Sequence, residues 1–288
     1  MNWTERRERF RAILAGDSCV HPASVSDPVS ARIAEDLGFE AGMFAGSVAS
    51  MAVLGAPDIV LLTLSEFAEQ AYRICRAGNL ALLVDADHGY GNALNVRRTV
   101  EELETAGIAA LTIEDTELPQ TFGTVGSTRL LALDEGVGKI RAALDARQDS
   151  GLVIVGRTGA TAITGLDDAI RRVRAYEAAG ADAVFLSGVK TREQVEAICA
   201  AVRVPVMLGG SGSGPADRQT LGRLGVRVSL QGHQSFAAAV RATYETLKAL
   251  REGTPPEQLA GLASADFMKQ LTRGDAYERM ARDFLGGA

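Results

Sequence analysis

The chain has 288 residues, 47% of them hydrophobic and 23% charged, with 30 basic against 36 acidic side chains for a net charge of −6. That balance, without any block of Lys or Arg, argues against a nucleic-acid partner. No apolar stretch reaches the ~18 residues a bilayer span needs, so no membrane partner is expected either. The length suits two average domains or one large barrel, with a core big enough to need no disulfide or metal staple. Cys19, Cys75 and Cys199 are far apart and form no CxxC pair, which reads as reduced thiols in a cytoplasmic protein.

Residues 1–16 are polar with a helical pattern and lack the apolar centre of a secretory signal. A first strand is expected over Ser18–Ser24. Thereafter helical stretches end in Leu-Gly or Ala-Gly and an apolar run follows. Leu37-Gly38 precedes EAGMFAG, Ala77-Gly78 precedes NLALLVDAD, and Ala106-Gly107 precedes IAALTIED. Gly151 precedes LVIVGR, Ala179-Gly180 precedes ADAVFLSG, and Leu224-Gly225 precedes VRVSLQG. One more run, Val204–Gly209, follows a helix at about 191–202. Glycine ends helices because it takes the left-handed conformation without steric cost. The runs are apolar rather than alternating, the pattern of parallel strands buried on both faces. Between them, residues such as Leu64, Phe67, Ala68, Ala71, Tyr72 and Cys75 recur at helical spacing.

Eight such units over roughly 235 residues predict an α/β fold, a (β/α)8 TIM barrel. No Pro- or Ser-rich linker divides the chain, so residues 1–288 read as one barrel domain with a leading helix. A helical tail spans about 234–288 and breaks at Gly253-Thr254-Pro255-Pro256. A long helical extension beyond a closed barrel usually packs on something, often a second subunit.

In such barrels chemistry sits at the C-terminal ends of the strands. Those ends carry Ser47, then Asp85, Asp87 and His88, then Glu114 and Asp115, and finally Arg157 and His233. Asp85 and Asp87, two apart on an extended chain, point to the same side, and Glu114 joins them from the next strand. Three clustered carboxylates repel unless a cation or shared proton relieves them. Hard oxygen donors without a Cys favour Mg²⁺, or Mn²⁺, with several retained waters. The bland alternative is that the acids cap the helices that follow. Arg157 either neutralises one of the acids or clamps a substrate carboxylate in bidentate fashion. His233 is either a ligand contact or a hydrogen-bonded structural histidine. His21 reads as a core histidine, and His88 either orients the acidic pair or lies at the surface. The Gly/Ser run at 209–214 fits no phosphate-loop pattern and reads as a flexible loop. Residues 118–133, long for this position and rich in Gly and Thr, have the character of a mobile lid.

The stretches GSVASMAVLGAPD (46–58), DADHGYGNALNV (85–96), TIEDT (112–116), EGVGKIRAAL (135–144) and RTGA (157–160) resemble the isocitrate lyase/phosphoenolpyruvate mutase superfamily. With QGH near the end of the barrel, the wording is most similar to the oxaloacetate decarboxylase branch. The resemblance spans nearly the whole chain. It implies a barrel whose eighth helix is swapped between subunits, in a homodimer or homotetramer. It implies Mg²⁺ held by Asp85, with Asp87 and Glu114 acting directly or through waters and Asp58 in the outer shell. Ser47, Arg157 and His233 carry over as substrate-binding positions, the last two also as catalytic ones. The lyases of the superfamily carry a Lys-Lys-Cys-Gly-His loop after strand 4, whereas residues 118–133 contain no Cys, Lys or His. The decarboxylase branch has Asn two residues after the strand-5 Arg and an aromatic residue after strand 7. Here those places hold Gly159 and the Gly/Ser run at 209–214.

The function these features imply is Mg²⁺-dependent decarboxylation of oxaloacetate, or a close 2-oxo dicarboxylate, to pyruvate and CO₂ through a metal-stabilised enolate. A C–C lyase or hydrolase acting on another 2-oxo or 2-hydroxy acid is the enzymatic alternative. A non-catalytic metal- and carboxylate-binding barrel is the alternative outside enzymes.

Overall fold

The computed structural model describes residues 3–124, 126–210 and 217–286. Eight parallel strands follow one another in chain order: β1 (Ala23–Ser24), β2 (Gly42–Phe44), β3 (Leu82–Asp85), β4 (Ala110–Glu114), β5 (Val153–Thr158), β6 (Ala183–Ser187), β7 (Val206–Gly209) and β8 (Val226–Ser229). The ladder closes ahead of β1, where Val20 pairs with Val228: Val20 N donates to the Arg227 carbonyl at 2.8 Å, and Ser229 N donates to the Val20 carbonyl at 3.0 Å. The fold is a (β/α)8 barrel. The expected first strand over Ser18–Ser24 is interrupted, because Pro22 has no N–H to give the ladder.

Helices alternate with the strands: α1 (Thr4–Ala15), α2 (Pro28–Asp36), α3 (Gly46–Ala49), α4 (Leu64–Cys75), α5 (Ala93–Ala106), α6 (Leu133–Ala146), α7 (Ala160–Ile163), α8 (Leu166–Ala179), α9 (Arg192–Ala201) and α10 (Arg218–Leu224). Gly38, Gly107, Gly180 and Gly225 follow helices with φ between 79° and 104°, the left-handed turn their sequence position implied. Gly78 is different. Its helix already ends at Cys75, and a Cβ there would push aside the tip of the Glu35 side chain.

Both faces of the strands are covered: Leu82, Leu83, Val84, Leu111, Ile113, Ile154, Val184 and Leu186 are all buried. On the helical side Phe67 of α4 stacks on Phe44 of β2 with ring centroids 4.9 Å apart. Its complete burial is worth about 1.5–3 kcal/mol. Tyr72, expected on the same apolar stripe, is exposed and rests edge-on against Trp3 at 6.4 Å.

Helix α1 lies where strands begin. Its arginines satisfy carbonyls just ahead of successive strands: Arg6 those of Cys75 and Gly78, Arg7 those of Glu104 and Ile108, Arg11 those of Gly151 and Leu152. Arg7 and Arg11 also pair with Asp149 at 2.6 Å and Asp182 at 3.1 Å.

The chain forms two compact units, Met1–His233 and Gln234–Ala288. The second consists of α11 (Gln234–Arg251), a short 3₁₀ turn at Pro256–Gln258, α12 (Ala265–Leu271) and α13 (Gly274–Leu285). Within it Lys269 of α12 pairs with Asp275 at 2.8 Å and Glu278 at 2.7 Å. Helix α11 exposes Val240, Tyr244 and Leu247, which share one helical stripe. Among the described residues no helix is long and apolar enough to cross a membrane.

Candidate active site

The parallel register decides which side chains meet at the C-terminal mouth. Asp85 at the end of β3 is level with Thr112, Glu114 at the end of β4 is level with Arg157, and Arg157 is level with Phe185. Ser47 sits in the first turn of α3, directly after β2. Beyond Asp85 the strand stops and the chain turns sharply, with positive φ at Asp87 (47°), Gly89 (79°), Tyr90 (59°) and Gly91 (146°). Asp85 and Asp87 therefore face one cavity because of a turn. The extended two-residue alternation expected from sequence is absent there.

Asp85 is held from two sides. Its Oδ1 accepts from Thr112 Oγ1 at 2.9 Å and from the Asp87 amide at 3.2 Å, and its Oδ2 pairs with Arg157 Nη1. Arg157 Nε lies 3.1 Å from Glu114 Oε2, and the guanidinium sits 5.2 Å over the Phe185 ring. Of its two expected roles, the one adopted here is neutralisation, shared between two carboxylates. Burial disfavours the Arg157 cation, but Asp85 and Glu114 outweigh it and hold its pKa above the usual value. Glu114 is nonetheless raised, because burial exceeds the help Arg157 gives.

Asp87 is the exception. Its carboxylate lodges against the backbone at Gly46, where a Cβ would lie 2.7 Å from Oδ1 and force the carboxylate to move. Among the described residues that carboxylate has no hydrogen-bond or ion-pair partner. Burial, then the charges of Asp85 and Glu114, push its pKa well above the carboxylate range. Asp58, on the rim, is raised by partial burial and by Asp85.

Ser47, Asp58, Asp85, Asp87, Glu114, Arg157 and His233 all line one cavity of about 850 Å³. His233 Nδ1 lies 2.8 Å from Ser24 Oγ, and burial lowers its pKa against the pull of Asp85 and Asp58. Leu118, Pro119, Gln120 and Thr128 of the long β4–α6 loop form part of the wall. That loop is pinned at its base by the Glu117–Arg129 pair at 2.9 Å and by the Leu131 amide on the Asp115 carbonyl at 2.8 Å. Gly159 lies where a Cβ would press on Ile163 at 3.3 Å and Ser187 Oγ at 3.4 Å. Gly209 and Gly210 line the cavity, while 211–214 of the Gly/Ser run lie outside the described residues.

Other expected polar residues go elsewhere. His88 is neither at the surface nor at the mouth: it is 3% exposed, and burial followed by the Lys139 charge pushes its pKa down to about 4. Asp115 turns away into the protein to bind Arg172 at 2.9 Å and Tyr176 OH at 2.5 Å. His21 Nδ1 lies 2.7 Å from the Ser229 carbonyl, tying the chain before β1 to β8; its ring is only half-buried, so it is no core histidine. Thr112 and Phe185 were missed, since each reads as an ordinary strand residue until the register places it beside a charge.

Among the described residues no three His, Cys, Asp or Glu side chains form a group set to hold a metal ion. Asp85, Asp87 and Glu114 share the cavity, but Arg157 takes up the facing oxygens of Asp85 and Glu114. The donor set still fits a hard divalent cation. Asp87 is a partnerless carboxylate beside Asp85, and a cation such as Mg²⁺ keeps several waters while using only one or two protein carboxylates.

Residues 10–251 match the phosphoenolpyruvate phosphomutase family. The chain is 60% identical over 286 residues to oxaloacetate decarboxylase of Rhodopseudomonas palustris (strain BisA53), covering 99% of each. Among solved structures it is similar to oxaloacetate acetylhydrolase in complex with the inhibitor 3,3-difluorooxalacetate, at a TM-score of 0.86 and 28% identity, covering 99% of this chain and 98% of the other. It is also similar to phosphonopyruvate hydrolase in complex with oxalate and Mg²⁺, at a TM-score of 0.82 and 29% identity, covering 97% and 98%. The chain belongs to the phosphoenolpyruvate phosphomutase family, within the isocitrate lyase/phosphoenolpyruvate mutase superfamily.

Proposed function

We propose that this protein decarboxylates oxaloacetate, or a close 2-oxo dicarboxylate, to pyruvate and CO₂ with the help of Mg²⁺. The observation that carries the reading is the pair Asp85 and Asp87 at one cavity wall, the second without a counter-charge, facing Arg157 and His233. The 60% identity to an oxaloacetate decarboxylase over the whole chain supports the same class, a carboxy-lyase.

Asp85 and Asp87 would hold the cation, with Glu114 and Asp58 acting through water. A hard divalent cation held by these carboxylates would supply Lewis-acid stabilisation of the negative charge that develops on the substrate. Arg157 donates from Nη1 to Asp85, while its Nε lies within ion-pair distance of Glu114 without a hydrogen bond and its Nη2 hydrogen-bonds to none of the described residues. That edge receives the C1 carboxylate, and Ser47 and His233 fix the other side of the substrate. Burial disfavours the charged form of His233, which offers a hydrogen bond from its side of the cavity. The C4 carboxylate must leave unclamped, since a tight cation there would favour the ground state over the transition state. Leu118, Ile163 and Leu230 supply apolar lining in the same cavity, whereas the Phe185 ring is covered by Arg157. The C3–C4 electrons then form the enolate, and a proton from water completes pyruvate at C3. No acid from the 118–133 loop is needed.

The chemistry is tested by pyruvate release from oxaloacetate with Mg²⁺, against Mg²⁺ alone. No acceleration over the free ion overturns the decarboxylase reading, and oxalate binding without turnover favours a non-catalytic barrel. The similarity to oxaloacetate acetylhydrolase makes release of acetate and oxalate the first alternative to assay.

The reading includes a cytoplasmic homodimer or homotetramer with the eighth helix exchanged between subunits. The free thiols of Cys19, Cys75 and Cys199 and the exposed stripe of Val240, Tyr244 and Leu247 support it. Light scattering on the purified protein tests the assembly, and a monomer would overturn it.

A further inference from the structure

Lys139 on α6 is 3% exposed and charged, and among the described residues it pairs with no carboxylate. Its ammonium donates to the His88 carbonyl at 2.8 Å. Burial disfavours the ammonium, and the charges of Glu135, Glu114 and Asp115 only partly offset that, so a cation in this place is costly without a role that needs it. Nothing in the mechanism above uses it.

The carbonyl it holds belongs to the turn that presents Asp87. Four successive carbonyls of that turn are tied: Ala86 by the Gly89 amide at 2.8 Å, Asp87 by the Glu114 amide at 2.8 Å, His88 by Lys139, and Gly89 by Thr99 Oγ1 at 3.0 Å. The turn needs such ties, because Asp87 and Tyr90 adopt left-handed conformations that are sterically costly for residues with a Cβ. Asp85 is positioned through its own carboxylate, by Thr112 and Arg157. Asp87 has no such side-chain partner, so its carboxylate is directed by its backbone and by packing against Gly46. Lys139, reaching across from α6, is the one cationic side chain among the described residues that hydrogen-bonds to that backbone.

We propose that Lys139 is a positioning residue for Asp87, and that it sets the affinity of the cavity for a divalent cation. The inference rests on the metal reading given above. It acts through the His88 carbonyl and touches neither substrate nor cation.

The test is Mg²⁺ titrated calorimetrically into substrate-free protein, alongside the Mg²⁺ dependence of turnover. Lys139→Met is expected to weaken Mg²⁺ binding about 10- to 100-fold, the usual penalty for losing a group that orients a metal ligand. At saturating Mg²⁺ its kcat should stay within about threefold of the parent, so the loss appears in the metal constant. Ile140→Ala, a cavity in the core on the same helix, should lower the melting temperature and leave Mg²⁺ affinity unchanged. Should Lys139→Met not fold, Lys139→Gln keeps a shorter neutral donor, and at least about threefold weaker binding is expected. Parent-like Mg²⁺ affinity in the folded variant overturns the proposal. Parent protein that binds no Mg²⁺ overturns the metal reading and this proposal together. Parent protein that binds Mg²⁺ without decarboxylating overturns the decarboxylase reading alone, and the Lys139 comparison is then decided by binding.

Discussion

At the N-terminal end of the barrel, Arg7 gives its guanidinium to Asp149 and to the carbonyls of Glu104 and Ile108, and Arg147 and Arg11 share Asp182. At the C-terminal mouth, one arginine serves both Asp85 and Glu114, and Asp87 has no partner among the described residues. The same kinds of side chain thus stabilise one end and strain the other. Hydrogen bonding to Arg7 lowers the Asp149 pKa, whereas burial raises that of Asp87. The pH signs are opposite. Asp149 contributes stability above its unfolded pKa and loses it as pH falls through the depressed folded value. Asp87 costs stability as pH rises above the ordinary carboxylate range, where the unfolded chain has released its proton and the folded chain resists. Paired charge at one end supports the scaffold, and unrelieved charge at the other is what a cation would bind.

The sharpest test of this contrast is Asp85→Ala, expected to lower kcat/KM at least about 10³-fold, equivalent to about 4 kcal/mol of transition-state stabilisation. Steady-state pyruvate release measures it, and retained activity would detach the mouth from the chemistry. Next is Arg7→Ala, which removes a buried charged donor from Asp149 and from the carbonyls of Glu104 and Ile108, the first two keeping the Gly151 and Gly107 amides, and should cost about 3 kcal/mol. A melting temperature lower by about 6–10 °C is expected, with kcat unchanged in the folded fraction. An unaltered melt would show that the N-terminal arginines do not carry stability.

Asp87→Asn should move stability the other way, by about 1 kcal/mol or 2–4 °C at neutral pH without added metal. The gain should shrink as pH falls and the parent Asp87 takes up its proton. Thermal melts across pH decide this, and a variant less stable than the parent at neutral pH would deny that the mouth is strained. The smallest effect is expected from Thr112→Val, which removes one hydrogen bond from Asp85 at about 1 kcal/mol and lowers kcat/KM about fivefold. No change there would leave Arg157 and the Asp87 amide as the groups that orient Asp85.

Much of the site was legible because of where strands end. Asp85 and Glu114 are the last residues of β3 and β4, and a parallel barrel directs such residues to its mouth. Arg157 was placed there by the same rule, but its engagement with Asp85 and Glu114 depends on register. Asp87 was assigned to the right cavity for the wrong local reason, since its φ of 47° is a turn conformation that Asp only sometimes adopts. His88 and Lys139 were opaque. Nothing in a one-dimensional pattern shows that a polar residue on a turn and a lysine on a helix will be buried against each other.

By itself the sequence determined the barrel, the order of its elements and the mouth to which the acids belong. Those follow from local propensities: glycine at helix ends, apolar runs for strands buried on both faces, polar residues where strands stop. Tertiary structure alone decided which charge each carboxylate meets. Neighbours across a parallel ladder are dozens of residues apart in the chain, and the burial that shifts their pKa values exists only after the barrel has closed.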